Sequence, residues 1–370
     1  MRIVVVRTQV PFVNGGAERH GRNLCLALER HGHEATEVTL PFRWYPGTVL
    51  VDHILSAKLV NLERFEGAPV DLMVGLKFPA WLAHHPNKVF WVLHQHRQAY
   101  DFWESGISDL LGEPDAFALR ELIQAEDRSE LGRANARVYA NSGNVAARMK
   151  RFLGIESKPL YHPPPNADRL RPGSYGDYLL VPGRINTLKR QALVLDAVAR
   201  AGAPLRVVFA GPPDSQSYLD ELRQKAIDLG IDRSVEWLGG ISDEHMIELY
   251  AGARAVIYTP VDEDYGYVSL EGMLSAKPLI VTTDCGGPLE FVRHGKEGWI
   301  CDPTAEALAD AIKEAADDPA LCERMGLAGC QRYADFDISW DTAVECLTRT
   351  SAPRSDARLM PRRAEVAAGE

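Results

Sequence analysis

Tyr178-Leu179-Leu180-Val181-Pro182-Gly183-Arg184-Ile185-Asn186-Thr187-Leu188-Lys189-Arg190 runs from a short apolar segment through a glycine turn into a cationic helix start. The run Tyr178–Pro182 predicts a buried strand, and the periodicity of Lys189–Ala201 predicts a helix. The same unit recurs downstream. Strands are expected over Leu205–Ala210, Val235–Leu238, Ala255–Tyr258 and Pro278–Thr282, with helices over Ser217–Leu229, Asp243–Ala251, Val268–Ser275 and Thr304–Ala316. Strand–helix alternation of this kind demands right-handed crossovers and a parallel sheet covered by helices on both faces.

Upstream the pattern is repeated. Arg2–Arg7, Glu34–Leu40, Val70–Leu76, Lys88–Leu93 and Arg137–Asn141 read as strands, with helices expected in Gly16–His31 and Pro114–Asn135. The chain has 370 residues, more than one core usually organises. The expected fold class is therefore α/β, with two Rossmann-like doubly wound domains. His162-Pro163-Pro164-Pro165-Asn166 and the segment Arg171–Gly176 punctuate the chain as an inter-domain linker. This divides it into 1–165 and 166–335, followed by a final helix within 336–350 that carries Trp340, Val344 and Leu347. The stretch 351–370 is poor in large apolar residues and is expected to be disordered.

Composition narrows the function. A net charge of −10 argues against a nucleic acid as main partner. The six cysteines are scattered without zinc-ligand spacing, and read as reduced, mostly buried thiols of a cytoplasmic protein. No apolar run approaches the roughly 18–20 residues that cross a bilayer. His84-His85 lacks convergent ligands and is set aside. Arg148, Lys150 and Arg151, with Tyr100, Phe102 and Trp103, read as charge-solvated helix ends; peripheral contact with the inner face of a membrane is the other reading.

Ligands of open α/β sheets bind beyond the carboxyl ends of the strands, so the residues just after each predicted strand are the candidates. Gly15-Gly16-Ala17-Glu18 follows the first strand, where a glycine pair lets backbone approach a phosphate; a plain turn into a helix is the alternative. Arg184 and Lys189 straddle a strand-to-helix turn. Two cations there are unfavourable with respect to the helix dipole, and call for an anion such as a diphosphate. Glu263 and Glu271 follow Ala255–Tyr258 with Gly266 marking the turn between them, and the two carboxylates suit the vicinal hydroxyls of a ribose or hexose. Asp262 and Asp264 form an Asp-x-Asp pair without the context of a metal site. His94 ends a strand and could donate to a developing charge or a substrate hydroxyl, against the commoner structural histidine. Cys285-Gly286-Gly287-Pro288 reads as a tight turn.

Taken together, Gly183-Arg184 with Lys189, Glu263-x7-Glu271 around Gly266, Gly286-Gly287-Pro288-Leu289-Glu290 and His294-Gly295-x-x-Gly298 resemble the retaining glycosyltransferases of family 4, which have the GT-B fold. The likeness covers about residues 178–335; the first half, with Gly15-Gly16 and His94, is more divergent. The resemblance implies that Arg184 and Lys189 neutralise a donor diphosphate lined by Gly15 and Gly16. It implies that Glu271 holds the ribose, and that Glu263 with the Tyr265-Gly266-Tyr267-Val268 segment holds the sugar. Leu238 and Gly239 would pack on the base, and His94 would sit near the reacting carbon. His94, Glu263, Arg184 and Lys189 are the catalytic candidates. No cofactor and no metal are expected; the partners would be an NDP-sugar donor (UDP- or GDP-linked) and a carbohydrate or lipid-linked carbohydrate acceptor. The last helix would cross back onto the first domain. Tyr265 stands where the family frequently has Phe, a departure expected to matter little. A nucleotide-sugar epimerase of the same fold and a non-catalytic donor-binding partner are the alternatives.

Overall fold

The computed structural model describes residues 1–13 and 15–349. The tail expected to be disordered, 351–370, lies outside the described residues.

The first domain contains β1 (Arg2–Gln9), β2 (Glu34–Pro41), a small hairpin β3 (Arg64–Phe65) and β4 (Ala68–Pro69), β5 (Leu72–Lys77), β6 (Lys88–His94), β7 (Arg137–Ala140) and β8 (Lys158–Pro159). Six of these form one parallel sheet in the order β2-β1-β5-β6-β7-β8. The second domain contains β9 (Tyr178–Pro182), β10 (Arg206–Ala210), β11 (Val235–Gly239), β12 (Ala255–Tyr258), β13 (Leu279–Thr282) and β14 (Gly298–Cys301), in the order β11-β10-β9-β12-β13-β14.

Helices cover both faces of each sheet. They are α1 (Gly16–Arg30), α2 (Val49–Leu59), α3 (Asp101–Glu104), α4 (Ala116–Leu131) and α5 (Gly143–Leu153) in the first domain. The second has α6 (Gln191–Ala201), α7 (Gln216–Asp228), α8 (Asp243–Gly252), α9 (Tyr267–Leu274), α10 (Ala305–Asp317) and α11 (Pro319–Asp335). The last, α12 (Trp340–Thr348), returns to the first domain, where Ala343, Val344 and Leu347 pack with Leu24 and Leu28 of α1.

Strand β6 shows why the strands read as unbroken apolar runs. Phe90 and Val92 enter one core, while Val89, Trp91 and Leu93 enter the core on the opposite face. A strand alternates its side chains between faces, so covering both faces makes every position apolar. β9 repeats this: Leu179 and Val181 face one core and Leu180 the other.

Several elements escape the sequence pattern. α2 and α11 were not expected, and the motif His294-Gly295-x-x-Gly298 leads into the strand β14. Gly298 opens β14 because a side chain there would lie 2.0 Å from the Leu279 carbonyl oxygen. The helix expected from Lys189 starts two residues later. Asn186 accepts from the Lys189 amide, a 3-10 turn spans Thr187–Lys189, and α6 begins at Gln191.

Candidate functional site: the facing switch points of the two sheets

In each sheet, neighbouring strands whose chains leave in opposite directions leave a crevice at their carboxyl ends. In the second sheet this switch point lies between β9 and β12, in the first between β1 and β5. The loops holding Arg184 and Lys189, and Glu263 and Gly266, both open onto the former. The Gly15-Gly16 turn opens onto the latter, with His94 at the end of β6 beside it.

Backbone contact shapes the loop after β9. The Gly183 amide donates to Ala210 O at 2.9 Å, and a side chain at Gly211 would stand 2.0 Å from Gly183 O. The chain can approach this closely only without a Cβ. Lys189, in the turn, donates its ammonium to Tyr258 Oη at 3.0 Å and to the Glu263 carboxylate. Arg184 points elsewhere: half exposed, it pairs with Asp214 at 3.0 Å. Arg190 straps the two loops, reaching Thr259 O at 2.7 Å and Asp284 at 2.7 Å.

The acidic loop after β12 is held along its backbone. Amides of Asp262 and Glu263 donate to Asp284 O and Cys285 O, both at 2.9 Å, and the Gly287 amide returns a bond to Glu263 O at 2.8 Å. Cys285–Pro288 is thus the platform under the acidic loop. Gly266 has φ +85, a left-handed turn, and a side chain there would meet Pro288 at 2.8 Å. It aims the first amides of α9, those of Tyr267 and Val268, out of the helix start. Glu271, one turn on, accepts from Tyr250 Oη at 2.6 Å. Burial pushes its carboxyl up to about 7, although the Tyr250 hydroxyl works against the shift. Leu238 and Gly239 close β11, two strands from β9, with Gly239 in a left-handed turn at φ +64.

Across the cleft, Gly15 precedes α1, and its amide donates to Glu18 at 2.7 Å. Glu18 is therefore a capping acid. Gly16 touches the second domain: a Cβ there would sit 3.4 Å from the Tyr267 ring. His94 Nδ1 donates to the Gln95 carbonyl at 2.7 Å, which leaves Nε2 of the neutral ring as an acceptor. Burial, helped by the nearby Lys77 cation, lowers His94 to about 4, so the ring is neutral at physiological pH.

Two expectations need correction. Arg148 is not a solvated helix end but only 5% exposed, and its guanidinium pairs with Asp264 at 2.6 Å in the other domain. Tyr100 is likewise buried and donates to Asp127 at 2.7 Å, whereas Lys150 and Arg151 are exposed and pair with Glu156 and Glu104. The Tyr265 hydroxyl also matters. It is buried, accepts from the His162 amide at 3.0 Å and donates to His162 O at 2.6 Å, pinning the linker. Phe could make neither bond, so the Tyr265 hydroxyl ties the acidic loop to the linker.

The contacts that Arg97, Arg148, Asn144 and Glu290 make across the domain boundary were not read from the sequence. Arg97 reaches Asp262 at 3.2 Å, and Asn144 bonds Asp262 at 2.6 Å and Glu263 O at 2.9 Å. Asp262 and Asp264 are thus engaged by guanidinium and amide groups. Although burial alone would raise Asp264, Arg148 and Arg97 hold it down at about 2. Glu290 accepts the Gly143 and Asn144 amides at 2.8 and 2.9 Å, capping α5 from the other domain. Only the order Gly286–Glu290 hinted at this, because a carboxylate's partner in another domain leaves no local pattern.

Two parallel-sheet domains facing each other in this way define the GT-B fold, and solved structures agree. Sucrose-phosphate synthase from Thermosynechococcus elongatus superposes with a TM-score of 0.72 at 18% identity, over 93% of this chain and 96% of that one. Anabaena HepE, solved with UDP and glucose, gives 0.67 at 18% identity, over 93% and 98%.

Residues 169–332 match the family model of the glycosyl transferases group 1. The alpha-1,3/1,6-mannosyltransferase ALG2 of Dictyostelium discoideum is 38% identical over 134 residues, which is 35% of this chain. A D-inositol 3-phosphate glycosyltransferase of Streptomyces avermitilis is 27% identical over 351 residues, 81% of this chain and 73% of that protein. The matched part spans only 32% of the Dictyostelium protein. No helix among the described residues is long and apolar enough to cross a membrane.

Proposed function

We propose that the chain is a retaining glycosyltransferase that moves a sugar from a nucleoside-diphosphate sugar to an acceptor hydroxyl without a metal. One observation carries this reading. Lys189, Tyr258 and Glu263 meet at the switch point of the second sheet, beside the amides that open α9 and across from Gly16. The sugar-transferring relatives and the UDP and glucose held by Anabaena HepE support the donor class.

In this reading a diphosphate enters the crevice and takes Lys189 from Glu263 and Arg184 from Asp214. Glu263 is thereby freed to accept from sugar hydroxyls, and ionised Glu271 accepts from the ribose. Neutral His94 offers Nε2 to the donor sugar. The anomeric carbon–phosphate oxygen bond breaks as the acceptor oxygen bonds the same face, and the acceptor proton passes to the departing phosphate. Charge grows on that phosphate, so cations and helix amides aimed at it stabilise the transition state more than the ground state. Because Asp262 and Asp264 are occupied by Arg97, Arg148 and Asn144, the positive charge is assigned to side chains. Assembly of a polysaccharide or glycolipid at the inner membrane face is the proposed setting.

The test is nucleotide release from UDP-, GDP-, ADP- and TDP-sugars without acceptor, comparing wild type with Glu271→Ala. Slow release from one donor, lost in the variant, supports the proposal. Silence across the panel, with no donor raising the melting temperature, overturns it. A sugar isomerised without net nucleotide release would point to an epimerase.

A further inference from the structure

We propose that His162 of the inter-domain linker is a positioning residue for donor binding: through Tyr267 it holds the start of α9 at a fixed separation from the glycine turn that opens α1. The inference rests on the transferase reading, and assigns to that reaction a residue buried behind the donor crevice.

Both chain segments that join the domains pass through one spot. The linker passes at Tyr161 and His162, and the returning chain passes at Phe336 and Trp340. Ring centroids lie 5.8 Å apart for Tyr161 and Phe336, and 5.6 Å apart for His162 and Trp340. Domains turn about such crossings, so contacts made here set the angle between the two sheets and the width of the crevice at their switch points. His162 is 1% exposed within this cluster. Its ring stacks on Tyr265 of the second domain at 4.5 Å and 18°. It stands edge-on to His20 and Trp91 of the first domain, at 4.2 and 5.3 Å.

A phenyl ring could make all of these packing contacts. The imidazole costs more to bury, because Nδ1 has no partner among the described residues. Burial and the neighbouring His20 keep the ring neutral, so it brings no charge to the interface. What its nitrogens return is one hydrogen bond, that of Nε2 with Tyr267 Oη at 2.7 Å.

Tyr267 is where such a bond reaches a ligand. It is the first residue of α9, whose opening amides point out of the helix start, and Glu271 follows one turn later on the same face. Its ring is also the nearest neighbour of Gly16, 3.4 Å from the place a Cβ would take there. The Tyr267 ring is therefore the spacer between the starts of α1 and α9, and His162 fixes that spacer from behind. A donor that spans both helix starts binds best at one separation, so releasing the ring weakens binding without removing any group aimed at the donor.

The experiment uses the full chain and the donor identified by acceptor-free nucleotide release. His162→Phe keeps the aromatic packing and removes the bond. Its urea midpoint should hold or rise, because a buried nitrogen without a partner is gone. Donor KM should nevertheless rise roughly three- to tenfold, with kcat changed by less than about twofold. A side chain that only fills the core would not separate affinity from stability in this way. Tyr267→Phe should give the same rise, and the double variant no more than either alone. His162→Gln, whose amide can reach the Tyr267 hydroxyl, should stay within about twofold of wild type. Without ligand, hydrogen exchange over residues 265–274 should quicken at least about threefold in His162→Phe. A donor KM within about twofold of wild type in both Phe variants, additive effects in the double variant, or unchanged exchange overturns the inference. Absence of wild-type nucleotide release from every donor would instead sink the transferase reading, and the exchange measurement still tests the contact between His162 and Tyr267.

Discussion

Arg148→Met removes the cation closest to Asp264 and keeps much of the side-chain stem. Asp264 is 18% exposed and held at about 2 rather than 3.8, a difference near two pH units. At 1.36 kcal/mol per unit, this is about 2.5 kcal/mol favouring the folded state. The sign is that of a depressed acid. The contribution is complete above the ordinary carboxylate range and disappears as pH falls toward 2. After the substitution Arg97, at 3.9 Å, is the one ion-pair partner left to this carboxylate among the described residues, and a poorly compensated charge remains in a buried interface. Arg148→Met should therefore cost about 2–4 kcal/mol at pH 7, read from urea midpoints at unchanged m-value. Arg148→Met with Asp264→Asn should recover most of this, because the stranded charge is gone. Asp264 is the backbone neighbour of Glu263, so the single variant should also raise donor KM by roughly tenfold. A loss below about 0.5 kcal/mol, or no recovery in the double variant, would refute the claim that this pair clamps the acidic loop.

Two further outcomes follow from buried titrating groups. Glu271 sits at about 7, and in the proposed donor site its ionised form accepts from the ribose hydroxyls. Donor affinity should fall as pH drops below 7, and calorimetry in buffers of different ionisation enthalpy should show proton release on binding near pH 7, with Glu271→Gln abolishing it. His20, 1% exposed and edge-on to Trp91 and His162, is lowered to about 3 by burial. Stability from such a depressed base is full above 6.5 and erodes as pH falls toward 3, so between pH 7 and 5 His20 should account for about 2 kcal/mol of loss. His20→Phe should reduce the difference between urea midpoints at pH 7 and 5, and an unchanged difference would show that the ring protonates without cost.

Much of the fold was legible because parallel strands covered on both faces must be apolar throughout. Runs such as Tyr178–Pro182 and Lys88–Leu93 therefore announce themselves, and the helices between them carry a stripe. The candidate site was legible where chemistry is local. Glycine turns, a cation pair and spaced carboxylates after strands mark loops at the carboxyl edge of a sheet. Elements whose signal is tertiary were hidden. α2 mixes Val49, Leu50, Val51, Ile54 and Leu55 without a clean stripe, and β14 begins on a glycine required by the neighbouring Leu279 backbone.

Partners separated widely along the chain belong to the tertiary structure alone. Sequence put Lys189 and Glu263 on two loops, but only the fold brings ammonium to carboxylate. Arg148 looked solvated because a helix end rich in cations usually is; it is buried because Asp264, 116 residues away, meets it across the domain boundary. Tyr265 looked interchangeable with Phe until the linker closed on its hydroxyl. Local pattern determines which elements form and which of their ends can hold a ligand. The partner of each buried charge depends on how two domains meet, and the sequence carries no periodicity for that.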